Sequence, residues 1–313
     1  MLAVTGADGF VGSALCLEAA ARGIRVRTLT RRGLPCPGAA EHRGIGDLAD
    51  ATMADGLFDE VDTVIHCAAK VHMMERAQPD DTDRFRRVNR DGTLALARAA
   101  LAAGVKRFIF LSTIKVLGES TTGRPFQHDD PPAPAGDYAI SKAEAELGLR
   151  DLVQGTPMEL VIVRLPLVHG PGAGGNLAIL LRLLRSRMPL PFRNVRNRRA
   201  VLGLENLVDA LLYAASSPAA AGEIVLLRDD VSLSTPEIIT ALAEGLGVRA
   251  HLLPVPERWL RLVARIVGRE AYAARLIDSL DVSLDHTITQ VGWSPRVPAR
   301  EGLRRAAQAA RSA

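Results

Sequence analysis

Short apolar runs alternate with longer alanine-rich segments through the first half of the chain. The runs Leu2 to Thr5, Ile24 to Leu29, Val61 to Cys67 and Phe108 to Ser112 are rich in β-branched and large apolar residues. They read as strands covered on both faces, which show no polar alternation. Between them, "GFVGSALCLEAAARG", a "GDLAD" turn with a short helix, and a stretch from about Asp80 to Ala103 closed by Gly104 read as helical. Strand, helix, strand in alternation requires right-handed crossovers and so a parallel sheet with helices on both faces.

After the proline-rich "FQHDDPPAPAGD", a helix capped by Asp137 is expected to run to about Val153, followed by the strand "MELVIVRL". The pattern then loosens. "LVHGPGAGGN" is a loop, and helices are expected at Leu177 to Arg187, Glu205 to Ser216, Thr235 to Gly245 and Glu257 to Ser279, with a strand near Glu223 to Leu227. The expected fold is α/β, a doubly wound parallel sheet of the Rossmann kind with a smaller C-terminal α/β substrate lobe. Residues 1–165 would form the larger domain, rejoined by a segment at about 200–230, and residues 166–313 would form most of the lobe. The amphipathic "ERWLRLVARIVGREAYAARL" is read as a packed surface helix in preference to one lying on a membrane.

Composition narrows the function classes. With 48% hydrophobic and 24% charged residues the chain is globular, not disordered. No apolar run reaches the roughly 20 residues that span a bilayer, so no integral membrane segment is expected. The formal charge of +4 is mild and concentrated in "LRSRMPLPFRNVRNRR", where few aromatics accompany it. Such a stretch can serve nucleic acid, a membrane or a phosphate-bearing substrate, and with so few aromatics single-strand stacking is the least expected of these. Three cysteines in no metal-binding spacing give neither a disulfide framework nor a metal site, and a reducing cytoplasm fits them.

Candidate chemistry begins at "VTGADGFVGSAL", where a strand meets a helix. Glycines there permit a tight turn and let a pyrophosphate approach the helix N-terminus. The spacing is G-x-x-G-x-x-G, so the loop alone is weak support. Gly6, Gly9, Phe10, Val11 and Gly12 become cofactor candidates only in company with motifs farther along the chain. An NAD site normally carries an acid about 20 residues after the glycines to bind the ribose 2′-hydroxyl. Here the second strand ends in Thr30, Arg31 and Arg32. Two guanidiniums suit a 2′-phosphate, so NADP(H) is favoured, with NAD(H) possible.

Further on, "LSTIKVLGE" ends a strand and "DYAISKAEAE" opens a helix. Tyr138 and Lys142, four apart, share a helix face. A nearby ammonium favours the phenolate, so Lys142 is expected to lower the pKa of Tyr138 and make it an acid or base near neutral pH. Thr113, at a strand C-terminus, is placed to polarise a carbonyl.

Taken together, "TGADGFVG", "GDL", "VIHCAA", "VNRDGT", "FLSTIKVLGE", "YAISKAEAE", "VIVRLPLVHGPG", "NRRAVLGLENLVDA" and "VGWSPRVPAREGL" resemble the extended short-chain dehydrogenase/reductase family, in its nucleotide-sugar epimerase, dehydratase and reductase branch. The resemblance implies a catalytic Thr113, Tyr138 and Lys142, with Lys142 also on the nicotinamide ribose. It implies Asp47 and Leu48 beside the adenine, Cys67, Ala68 and Ala69 along the cofactor with His66, and Asn89 beneath. On the UDP-sugar it implies Asn176 and Arg199, with Arg198 assisting, so the basic stretch is expected to hold a diphosphate and not nucleic acid; Lys115 is a further substrate candidate, while Arg182, Arg185, Arg187 and Arg196 are expected in solvent. It also implies a homodimer built through two long helices.

Two reactions share such a site. A 4-epimerase keeps one NAD bound, whereas a 4-keto reductase draws NADPH from solution. Arg31 and Arg32, and Leu117 where epimerases of the family usually carry tyrosine, favour reduction of UDP-4-keto-6-deoxy-N-acetylhexosamine, a reaction linked by the resemblance to bacterial surface polysaccharides. UDP-hexose 4-epimerase is the alternative. Ile114 and Lys115 stand where dehydratases tend to have Asp-Glu, which argues against dehydration. A non-catalytic dinucleotide sensor is disfavoured by the intact Thr113, Tyr138 and Lys142.

Overall fold

The computed structural model describes residues 1–71 and 81–312, with backbone alone at 81, 82, 176 and 312. Among them, seven strands form one parallel sheet in the order β3-β2-β1-β4-β5-β6-β9. These are β1 (Leu2–Thr5), β2 (Val26–Thr30), β3 (Glu41–Gly44), β4 (Thr63–His66), β5 (Arg107–Thr113), β6 (Glu159–Leu165) and β9 (Ile224–Leu226). The inward apolar residues of the strands other than β3 are buried in two layers. Helices α1 (Phe10–Ala21) and α6 (Leu204–Ser216) cover one face; α3 (Thr93–Ala102) and α4 (Asp137–Val153) cover the other. The strand order reverses beside β1, between β1 and β4, which opens a crevice at the strands' C-terminal ends.

Strand β3 lies outside the apolar pattern, since "EHRG" carries none. It is held from the side by Arg27 of β2, buried at 4% exposure, whose guanidinium reaches Glu41 at 2.6 Å and the carbonyls of Leu57 and Asp59 at 3.1 and 2.8 Å. A buried arginine so completely satisfied pins the sheet edge where side-chain apolarity cannot.

A separate core lies under the C-terminal lobe, among α5 (Gly175–Arg185), α7 (Thr235–Leu246) and α10 (Ala299–Ser312). Helix α7 begins in a capping box, with Ser234 and Glu237 satisfying each other's backbone amides. Strands β7 (Leu167–His169) and β8 (Val201–Gly203) pair in parallel beside it.

Three local expectations need correction. The expected helix from Asp80 is α2 (Asp81–Arg86) and α3 joined by a π-helical turn, Arg87–Gly92. Asp137 is the first residue of α4, and Gly136, at φ +79, is its cap. The single helix expected over Glu257 to Ser279 is two, α8 (Glu257–Ile266) and α9 (Glu270–Ile277), broken where Gly268 adopts φ +65. Helix α8 is shallowly packed: Glu257, Leu260 and Ala264 are half-buried, and none of its residues is fully buried.

Candidate active site

The loop after β1 is shaped by glycines that nothing larger could replace. A Cβ on Gly12 would stand 2.2 Å from the Gly6 carbonyl oxygen, and one on Gly6, at φ +61, would stand 2.9 Å from the backbone of Ala68. Helix α1 begins there with no side-chain cap, so its first-turn amides face the crevice without helical partners. Such a cradle fits a pyrophosphate. Around it opens a cleft of about 870 Å³. Gly6, Gly9, Arg31, Arg32, Asp47, Leu48, Cys67, Ala68 and Ala69 line it, so the structure gathers most of the expected cofactor residues.

The remainder divide by role. Phe10 and Val11 do not line the cleft with their side chains: the Phe10 ring lies beside Gly170, and Val11 packs on the core. Asp47 accepts the Ala49 amide at 3.0 Å and so fixes the turn by the expected adenine end. Arg31 and Arg32 are exposed, and no carboxylate among the described residues lies within ion-pair distance of either. Lys70, Phe85 and Val88 also line the cleft; "VIHCAAK" held a signal for Lys70, but Phe85 and Val88 arrive from the turn of α2 into the π-helical segment, which no spacing announced.

Behind the cleft runs a continuous buried hydrogen-bond chain. The Ala68 amide donates to Thr5 Oγ1 at 3.2 Å, and Thr5 pairs with His66 Nδ1 at 2.7 Å. His66 Nε2 pairs with Thr93 Oγ1 at 2.9 Å, and the Thr93 hydroxyl donates to the Asn89 carbonyl at 2.7 Å. Since the Thr93 proton is committed, His66 must donate from Nε2 and accept at Nδ1. Burial, aided by Lys142, pushes the His66 pKa down to about 3, so the ring is neutral. The Asn89 side chain clamps the backbone of Lys70 at 2.8 and 3.0 Å and donates to Ser141 at 3.0 Å, whose hydroxyl donates to the Tyr138 carbonyl. The π-helical turn is what aims Asn89 at this junction, a use such turns often serve. His66 and Asn89 thus hold the cofactor-side loop and helix α4 in register. Burial raises the Cys67 thiol well above its ordinary value, so it is no thiolate nucleophile.

A second pocket, of about 330 Å³ and mainly apolar, opens where β5 and α4 meet the lobe. Thr113, Tyr138, Lys115 and Arg199 line it. Lys115 is tethered to Glu119 at 2.6 Å, and Arg199 Nη1 donates to the Asp278 carbonyl at 3.2 Å. Arg198 turns away to Asp281 at 3.1 Å, and Arg182, Arg185, Arg187 and Arg196 are exposed. Thr235, Arg275 and Leu276 also line the pocket, from α7 and α9. Asn176 is the second residue of α5; its side chain lies outside the described residues.

Lys142 lies behind the pocket wall at 1% exposure, its Nζ 3.9 Å from the Phe110 ring centroid. Burial lowers its pKa to about 7, against the raising effect of Glu146 and Cys67. Tyr138 does not show the expected depression: burial pushes its phenol up to about 12, because desolvation dominates and the ammonium is directed to the Phe110 face. The unfolded chain's lysine titrates near 10.4. Between about 7 and that value the unfolded state binds a proton the folded state lacks, so stability rises with pH across this window, and the lysine's unfavourable contribution is complete below it. We expect the urea midpoint of the protein without added cofactor to rise from pH 7 to pH 9 and Lys142→Met to flatten that rise. An unchanged slope in the variant would place the titration elsewhere.

The profile described as "NAD dependent epimerase/dehydratase family" matches residues 2–227. The chain belongs to this family. As a family enzyme it is similar to a UDP-glucose 4-epimerase of Vibrio cholerae, 38% identical over 267 residues, 85% of this chain and 81% of that one. Its fold is shared with a short-chain dehydrogenase/reductase superfamily protein of Agrobacterium tumefaciens solved with bound NAD, at TM-score 0.74 and 23% identity over 100% of this chain and 97% of the other. It is shared equally with a Bordetella bronchiseptica enzyme in complex with NAD and UDP, at TM-score 0.73 and 22% identity over 99% and 92%. Among the described residues no helix is long and apolar enough to cross a membrane.

Proposed function

We propose that the protein oxidises and reduces C4 of a UDP-linked sugar, as a UDP-hexose 4-epimerase in the first reading. The observation that carries the chemistry is that Thr113 and Tyr138 face one pocket, beside the dinucleotide cleft, with Arg199 on its wall. The Vibrio relative supports the epimerase reading. A bound NAD(P) supplies the hydride acceptor and donor. Gly6, Gly9 and Gly12 would cradle its pyrophosphate, Asp47 and Leu48 would border the adenine, and Lys142 would hold the nicotinamide ribose. Tyr138 exchanges a proton with the C4 oxygen, and Thr113 holds that oxygen by a hydrogen bond. A phenol raised to about 12 is a reluctant base on its own, so its proton transfer depends on charge brought into the site by the ligands. Arg199 would bind the diphosphate, with Asn176 as a further contact.

One observation favours a second reading. Arg31 and Arg32 stand at the cleft rim, with no carboxylate among the described residues within ion-pair distance, where an NAD enzyme carries an acid, which supports NADP(H) and reduction of a UDP-4-keto-6-deoxy-N-acetylhexosamine. Reversing both charges, Arg31→Glu with Arg32→Glu, is expected to weaken NADPH binding by about 10- to 100-fold and leave NADH binding unchanged. Equal losses for both cofactors would mean that neither arginine meets a 2′-phosphate. The deciding assay incubates purified protein with UDP-hexoses without added cofactor, and separately with NADPH and UDP-4-keto-6-deoxy-N-acetylglucosamine. Hexose interconversion in the first arm supports the epimerase, NADPH consumption in the second supports the reductase, and neither result would overturn both.

A further inference from the structure

Helix α8 lies on the surface with one apolar side largely exposed. Trp259, Leu262, Val263, Ile266 and Val267 recur at helical spacing and are 52, 46, 56, 76 and 61% exposed. Five such neighbours on one stripe differ from the scattered single exposures normal on a surface. Basic residues flank the stripe. Residues 257–270 hold four arginines and two glutamates, and Arg261 also meets Asp278 at 2.7 Å. Both glutamates face arginines already, Glu257 beside Arg261 at 4.0 Å and Glu270 beside Arg265 at 3.7 Å. Arg258 and Arg269, both exposed, have no carboxylate within ion-pair distance among the described residues.

We propose that α8 docks this protein on an anionic lipid bilayer, lying in the interfacial plane with its apolar stripe among the acyl chains. A short helix with tryptophan and aliphatics on one side and arginines at the flanks matches that environment on both counts, burying apolar area and neutralising headgroup charge. A second copy is a poorer occupant, because pairing the stripe with itself about a two-fold axis would bring its own arginines together. The docking also touches the site. Helix α9 comes directly after α8 and supplies Arg275 and Leu276 to the wall of the substrate pocket, so the bilayer would lie one helical turn-around from where the sugar is bound.

The test uses the full chain carrying Trp293→Phe, which leaves Trp259 as the sole tryptophan. Flotation is measured with vesicles of phosphatidylcholine alone and of equimolar phosphatidylcholine and phosphatidylglycerol, at low and high salt. Binding to the anionic vesicles, weakened by salt, with a blue shift of Trp259 emission, is the expected result. The exposed-site double substitution Leu262→Glu with Ile266→Glu is expected to lower vesicle affinity by at least about 100-fold. Its thermal midpoint and its cofactor binding should match the parent, because neither side chain is buried. No binding to either vesicle, equal binding to neutral and anionic vesicles, or a double variant that loses only self-association would each overturn the proposal.

Discussion

Tyr138→Phe is expected to lower kcat by about 10²- to 10⁴-fold while leaving stability nearly untouched. The substitution deletes one hydroxyl from the wall of the pocket shared with Thr113 and Arg199. Among the described residues no group lies within hydrogen-bond distance of that hydroxyl, so no partner is stranded when it goes. The ring keeps its edge-on contact with Phe85, centroids 6.3 Å apart. What disappears is the one phenol among the described residues that lines the pocket, which in the proposed reaction gives or takes the proton at C4, and general acid–base catalysis of that kind is worth the stated range. The measurement is kcat beside KM and the urea midpoint. A fall in kcat with KM and midpoint held would fit a proton-transfer role; an activity within a few-fold of the parent would remove Tyr138 from the chemistry.

The second large effect lies behind the site. Glu146 and Arg164, 4 and 2% exposed, form a buried pair at 2.7 Å, reinforced by the Arg164 Nε contacts and by Ser112 donating to Glu146. Ser112 immediately precedes Thr113 on β5, and Glu146 stands one helical turn after Lys142 on α4. The pair therefore fixes the end of β5 against the helix that carries Tyr138 and Lys142. Arg164→Met should strand a buried carboxylate and cost about 3–5 kcal/mol, read as a lower urea midpoint at unchanged slope. The double substitution Glu146→Leu with Arg164→Met should recover most of that stability, since two apolar side chains leave no charge unpaired. A single variant as stable as the parent would mean that water already reaches the pair. Removing Glu146 also removes a group that raises the Lys142 pKa, so the double variant should show the lysine titrating lower still.

These two cases mark how far the residue pattern reaches. Glycine spacing at a strand-to-helix junction, the Tyr138 and Lys142 interval, and strand-end Thr113 were legible because each depends on neighbours a few positions away. The same holds for the parallel sheet, whose buried strands announce themselves as unbroken apolar runs. Strand β3 was invisible because its place depends on Arg27 and not on its own side chains. The split of the long helix at a π-helical turn was hidden for a related reason: the turn lets Gly92 lie against Leu48, where a Cβ would stand 2.4 Å from its carbonyl oxygen.

The pKa order of the site also needed three dimensions. From spacing, Lys142 should depress Tyr138; in the fold, burial raises the phenol and lowers the lysine, because desolvation depends on everything that surrounds a group. Helix α8 gives the same lesson from the opposite side. Its periodicity shows an apolar face, but periodicity is blind to how far anything covers that face, and here Leu262 stays 46% and Ile266 76% exposed.

By itself, then, the order of residues determined the parallel α/β framework, the glycine turn at the start of α1 and the identity of the acid–base candidates, all set by local spacing and by runs of apolar side chains. Only the tertiary structure decided which distant residues complete the site: Thr235 and Arg275 on the pocket wall, Arg164 behind α4, and His66 joined to Asn89 through Thr93. Those contacts join residues far apart in the chain, and their energies come from burial and charge pairing that exist only once the layers have closed.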